Sequence, residues 1–190
     1  MKKAVLILLS IVAFSSSVAQ TNEYVFKETE YGVYFLEGGK CTRLNSSTIS
    51  GVKHGHAVGP FAAYAGTKTK SQIEGEEANY QLNSKRPTFY FNFTIKKDLN
   101  QEVSPNDFKL IRLDRSKGKR EYVSGSSGVT GTDMSIGDKY LVNFKYERIS
   151  NSVYKVILPK DLPSGEYCFL YVGSGHNSYS NKEAFDFGIK

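Results

Sequence analysis

Thr88-Phe-Tyr-Phe-Asn-Phe-Thr-Ile95 alternates without a break, placing Phe89, Phe91, Phe93 and Ile95 on one side and Tyr90, Asn92 and Thr94 on the other. A side-chain period of two belongs to extended backbone, so this run, introduced by Pro87, predicts a strand with one deeply apolar face. The same period recurs over residues 67–75, 108–113, 121–123, 140–146, 153–158, 166–172 and 184–189. In the 140–146 run, Tyr140, Val142, Phe144 and Tyr146 are expected to point inward. Nothing after the N-terminus carries a sustained helical stripe. The 13 Tyr and 12 Phe, with no Trp, suit strands. About seven strands at short spacing predict an all-β, antiparallel sandwich.

Two segments interrupt that pattern. Tyr31-Gly-Val-Tyr-Phe-Leu36 and Cys41-Thr-Arg-Leu44 flank Glu37-Gly-Gly-Lys40, which reads as an N-terminal β-hairpin, with Tyr24-Val-Phe26 as a further strand before it. Residues 45–66 thin into Ser, Gly, His and small side chains and read as a linker with one short strand near Val52. The expected organisation is therefore a hairpin and linker over 20–66, appended to an immunoglobulin-like sandwich over 67–190. Residues 114–120 are expected as a hairpin tip and 124–137, rich in Ser, Gly and Thr, as a loop.

Residues 1–19 form a separate unit. Lys2-Lys3, an apolar stretch from Ala4 to Phe14 too short to span a bilayer, and Ser17-Val-Ala19 predict a signal peptide cleaved after Ala19. The mature chain is then expected in the periplasm or outside the cell. No later segment is apolar for long enough to form a transmembrane helix. The formal charge of +6 includes Lys2 and Lys3. The mild remainder points away from nucleic acid.

Leu162-Pro-Ser-Gly-Glu-Tyr167 resembles the tyrosine corner of immunoglobulin-like and fibronectin type III domains, in which a tyrosine opening a late strand hydrogen-bonds back across the loop before it. Together with Gly32-Val-Tyr-Phe35 and Arg86-Pro-Thr-Phe-Tyr-Phe-Asn-Phe93, it makes the chain resemble a group of uncharacterised exported sandwich proteins of Bacteroidetes-type bacteria. The resemblance implies location and fold. It carries over no catalytic residue.

Tyr167-Cys-Phe-Leu-Tyr-Val172 is apolar on both faces, so something must cover its outer side. The N-terminal hairpin is the expected cover, which would bring Cys41 towards Cys168; the alternative is a partner protein on the same face. In an oxidising compartment the two can pair or remain buried thiols.

The residues that carry chemistry do not converge in the sequence. His54-Gly-His56 places two imidazoles on one face of an extended segment, which is half a metal site at most. His176 lies in a Gly/Ser loop beside Ser174 and Ser178 without a hydrolase motif around it. Glu74, Glu76 and Glu77 read as a solvated acidic turn. Arg112, Arg115, Lys117, Lys119 and Arg120 form a basic tip suited to an acidic glycan or headgroup surface, or to keeping sheet edges apart. The sequence thus predicts a non-catalytic binding module with no cofactor, whose partner is a protein or glycan of the cell envelope. The rival is carbohydrate recognition by Tyr90, Tyr154 and Tyr179; a small hydrolase or metal-binding protein ranks below both.

Overall fold

The computed structural model describes residues 30–49, 52–55, 66–93, 103–128, 131–173 and 183–190. The segment expected as a signal peptide, the strand expected at Tyr24-Val-Phe26 and the end of the Phe89 run at Ile95 lie outside these residues. Among the described residues every regular element is a strand or a short 3-10 turn. In chain order the strands are β1 (Gly32–Glu37), β2 (Lys40–Arg43), β3 (Ser46–Thr48), β4 (Val52–His54), β5 (Thr67–Glu74), β6 (Gln81–Leu82), β7 (Thr88–Asn92), β8 (Phe108–Ser116), β9 (Lys119–Gly128), β10 (Gly131–Asp133), β11 (Leu141–Val142), β12 (Lys145–Arg148), β13 (Val153–Ile157), β14 (Gly165–Tyr171) and β15 (Glu183–Ile189).

They form two sheets packed as a sandwich. One has five strands in the order β12-β13-β7-β1-β2. The other follows β3-β15-β14-β8-β9-β5-β4, with β11 on β8, β10 on β9 and β6 on β15. All pairings are antiparallel except that of β6 with β15. Phe89, Phe91 and Phe93 face the core between the sheets, as their alternation predicts, and meet Phe108, Phe169, Phe185 and Phe187 there. Ring centroids 4.6 Å apart for Phe89 and Phe187 and 5.1 Å for Phe89 and Phe169 show how closely this aromatic core is filled.

The larger sheet rolls up. Its terminal strands β3 and β4 are consecutive in the chain, and the short stretch between Thr48 and Val52 limits the gap between the two edges to roughly 14 Å. Inside the roll lies a second core of Ile49, Ile73, Ile111, Leu113, Tyr122, Tyr140, Cys168, Leu170 and Ala184. This accounts for the strand that is apolar on both faces. Tyr167 and Phe169 of β14 face the five-stranded sheet, while Cys168 and Leu170 face the interior of the roll.

The N-terminal hairpin is therefore built into the five-stranded sheet, and it does not cover the Cys168 face of β14. Its first strand pairs with β7 in register from Gly32↔Asn92 to Leu36↔Thr88, and Val33 and Phe35 enter the main core. Strands on both sides of residue 66 share one sheet, since β3 pairs with β15 and β4 with β5. Cys41 on β2 and Cys168 inside the roll are free thiols in different sheets, so the pairing considered above is not formed. Burial pushes the Cys41 thiol up to about 11 and that of Cys168 higher still.

Three further expectations change. The 124–137 loop is in part strand, because β9 continues to Gly128 along β5 and β10 folds back on it. The 114–120 tip shrinks to Lys117-Gly118, both at positive φ (47° and 80°), the backbone a two-residue hairpin requires. The 140–146 run breaks into a 3-10 turn at Asp138–Tyr140, then β11 on β8, then β12 on β13. The chain thus crosses from one sheet to the other at Asn143-Phe144. Alternation keeps side chains on one face only while a strand stays in one sheet, and Tyr146 emerges exposed.

Candidate functional site

The basic tip and the acidic turn prove to be each other's partners. Arg115 Nη2 lies 3.1 Å from Glu77 Oε1 and 2.8 Å from Glu166 Oε1, and Lys119 Nζ lies 2.7 Å from Glu74 Oε1. Arg120 is only 2% exposed. Its Nη1 donates to Asp186 Oδ2, while Nε and Nη2 donate to the carbonyls of Gly75 and Glu74 at 3.0 Å each. Glu166 Oε2 accepts from the Ala78 N–H at 2.8 Å, and Asp186 Oδ1 accepts from Ser47 Oγ at 2.7 Å. The network stitches β3, β9, β14, β15 and the turn after β5 across one end of the roll. Arg120 is thus a structural cation, Arg115 and Lys119 are ion-paired with their side chains still partly exposed, and Lys117 shapes the turn. Arg112 Nη2 is also engaged, donating to the Ser164 carbonyl at 3.2 Å.

The other residues singled out by sequence fare variously. The backbone of His54 lies in β4; its side chain, His56, His176 and Tyr179 fall outside what is described. Among the described residues no three His, Cys, Asp or Glu side chains gather to hold a metal. Tyr90 is buried, and Tyr154 is half-buried, packed against the main core beside Phe93 at 5.8 Å.

A different site opens where the chain changes sheets. Val142 pairs with Leu110 on β8, and continued pairing would bring Asn143 to Lys109 and Phe144 to Phe108. Because the chain departs for β13 instead, a cavity of about 190 Å³ is left between the diverging backbones. Phe108 and Phe144 belong to its apolar lining, and Asn106, Lys109, Leu141 and Tyr146 stand at its rim. Its mouth is fixed by a local motif. Pro105 opens a 3-10 turn, Ser104 Oγ accepts from the Asn106 N–H at 3.1 Å, and Asp107 Oδ2 accepts from the Ser104 N–H at 2.8 Å. The turn holds Asn106 so that its Oδ1 accepts from the Tyr146 hydroxyl at 3.1 Å.

Beside this groove runs β12, whose four residues are all exposed and which has β13 as its one strand neighbour among the described residues. Sequence reasoning missed this site because the 140–146 alternation promised a buried strand. The break in it is a tertiary event with no local signature. Comparison with known proteins found no matching family model, no matching curated protein and no matching solved structure.

Proposed function

We propose that the chain is a non-catalytic interaction module of the cell envelope or extracellular space, and that its binding face is the β12 edge with the groove beside it. The observation that carries this reading is an edge strand bordered by exposed Leu141, Tyr146, Ile149 and Ile157. Charged residues usually protect an edge against pairing, and β12 carries Lys145, Glu147 and Arg148, but the exposed apolar side chains beside them mark a surface built to be covered. The burial of Arg120 and the pairing of Arg115 and Lys119 with carboxylates reduce the free positive charge of the basic tip, which shifts the weight to this edge. The signal-peptide pattern of residues 1–19 supports the location. The Tyr167 hydroxyl, which donates to the Pro163 carbonyl at 2.7 Å, supports kinship with immunoglobulin-like sandwiches.

The test is capture from native cell-envelope material on immobilised residues 20–190, compared with Leu141→Asp and Ile157→Asp variants. A partner retained by the parent chain and lost by both variants supports the reading. Retention indifferent to these residues overturns the assignment of the face, and turnover of a substrate by the purified chain overturns the non-catalytic reading.

A further inference from the structure

The direction of the β12 hydrogen bonds and the order of its charges say what kind of partner the edge fits. The Ile149 N–H donates to the Val153 carbonyl at 2.8 Å, in the same register that pairs Lys145 with Ile157 and Glu147 with Lys155. The odd-numbered residues therefore direct their N–H and C=O groups at β13. Strand alternation turns those of Tyr146 and Arg148 outward, to the open edge.

We propose that this edge pairs with itself: two copies of the chain join β12 to β12, antiparallel, about a two-fold axis through Tyr146. The proposal rests on β12 being the binding face and names a second copy as its occupant. In this register Tyr146 faces Tyr146 and exchanges two backbone hydrogen bonds, and Arg148 meets Phe144. Lys145 of each copy stands opposite Glu147 of the other. These charged residues occupy the non-hydrogen-bonded positions, where opposed side chains come closest and opposite charges contribute most. Glu147 already has Lys155 beside it on β13, so the interface completes a row Lys155, Glu147, Lys145, Ile157 running from one sheet into the other. Arg148 does not disturb the row, because Nε and Nη2 donate to the Ser150 and Asn151 carbonyls of its own turn at 3.0 and 3.3 Å.

Neighbouring registers are disfavoured. A centre on Glu147 opposes Glu147 to itself, and a centre on Lys145 opposes Lys145 to itself. The other edge of the five-stranded sheet, β2, carries Lys40 and Arg43 with no carboxylate between them and lacks this self-complementarity. Joining two five-stranded sheets through β12 also brings the exposed Tyr146 side chains of both copies to the seam, with Ile157 one strand behind it on each side, an isologous contact that closes.

Analytical ultracentrifugation of residues 20–190, from about 10 µM to about 1 mM, tests the proposal. The parent chain is expected to shift from monomer to dimer. Lys145→Glu and Glu147→Lys each set like charges opposite one another twice and are expected to raise the dissociation constant by roughly 10- to 100-fold. The double variant restores opposite signs and is expected to recover dimerisation, with circular dichroism checking that each variant is folded. In the parent background Tyr146→Cys, directly opposite its own copy, is expected to cross-link into a covalent dimer under mild oxidation. A parent chain monomeric throughout, single variants that dimerise as well as the parent, or a double variant that fails to recover each overturns the self-association. If the chain is monomeric but still captures an envelope partner that Leu141→Asp and Ile157→Asp lose, the second copy is excluded and the binding face stands. If dimerisation is intact but no other protein is captured, the second copy is supported as the occupant.

Discussion

At the scale of single residues, Arg120 shows how far the charges of this chain are committed to its architecture. It is buried, and its guanidinium meets one carboxylate and two carbonyls, with the carboxylate of Glu166 3.6 Å away. Replacing it by methionine leaves Asp186 buried without its cation and Glu166 with Arg115 alone. Arg120→Met is therefore expected to lower the unfolding free energy by about 3–5 kcal/mol in urea denaturation; a loss under about 1 kcal/mol would show that the network is not what holds the end of the roll. The thiols give a second expectation. An unfolded Cys41 titrates near 9.0 and the folded one at about 11, because burial disfavours the thiolate, so in that window the folded chain keeps a proton that the unfolded chain has released. Stability contributed by this group is thus present below pH 9 and declines as pH rises towards 11, and Cys41→Ala is expected to flatten that part of the pH–stability curve. Both thiols should count as free in the unfolded protein, with Cys168 unreactive until the roll opens. The sequence displayed the basic tip and the acidic turn plainly. It could not show that they face each other, because the bonds join residues such as Glu74 and Lys119 across 45 positions.

At the scale of elements, legibility followed hydrophobicity. β7, β13, β14 and β15 announce themselves because each carries enough apolar side chains on a fixed period to declare its buried face. β9 beyond Val123 does not, since Ser124-Gly-Ser-Ser127 is extended by its ladder with β5 and not by its own side chains. The switch from β11 to β12 was hidden for the opposite reason: Tyr140, Val142, Phe144 and Tyr146 keep perfect alternation through a change of sheet. The tyrosine at the start of β14 was legible as a motif, and its hydroxyl bond to the Pro163 carbonyl ties the strand to the turn before it. Tyr167→Phe removes one such bond at a partly buried site and is expected to cost about 0.5–1.5 kcal/mol, measured by thermal or chemical unfolding, without altering the far-ultraviolet spectrum.

At the scale of the molecule, β14, β8 and β15 serve two cores at once, with alternate side chains in the aromatic layer and in the roll. Damage to either core should therefore be felt by both. Phe169→Ala, in the first, and Ile73→Ala, in the second, are each expected to lower the midpoint of one shared calorimetric transition, with losses of about 3–5 and 2–5 kcal/mol respectively. Two transitions, each moved by one substitution only, would contradict that coupling.

The pairing of β3 with β15 carries a consequence in time. Ser47 bonds Asp186 across 139 positions, so a strand made early in synthesis finds its place only when the last one arrives. Closing so long a loop is slow, and a ribosome finishes nearly the whole chain before the roll can shut. Until β15 emerges, β3 lacks the strand it pairs with, and the larger sheet stays open along that edge.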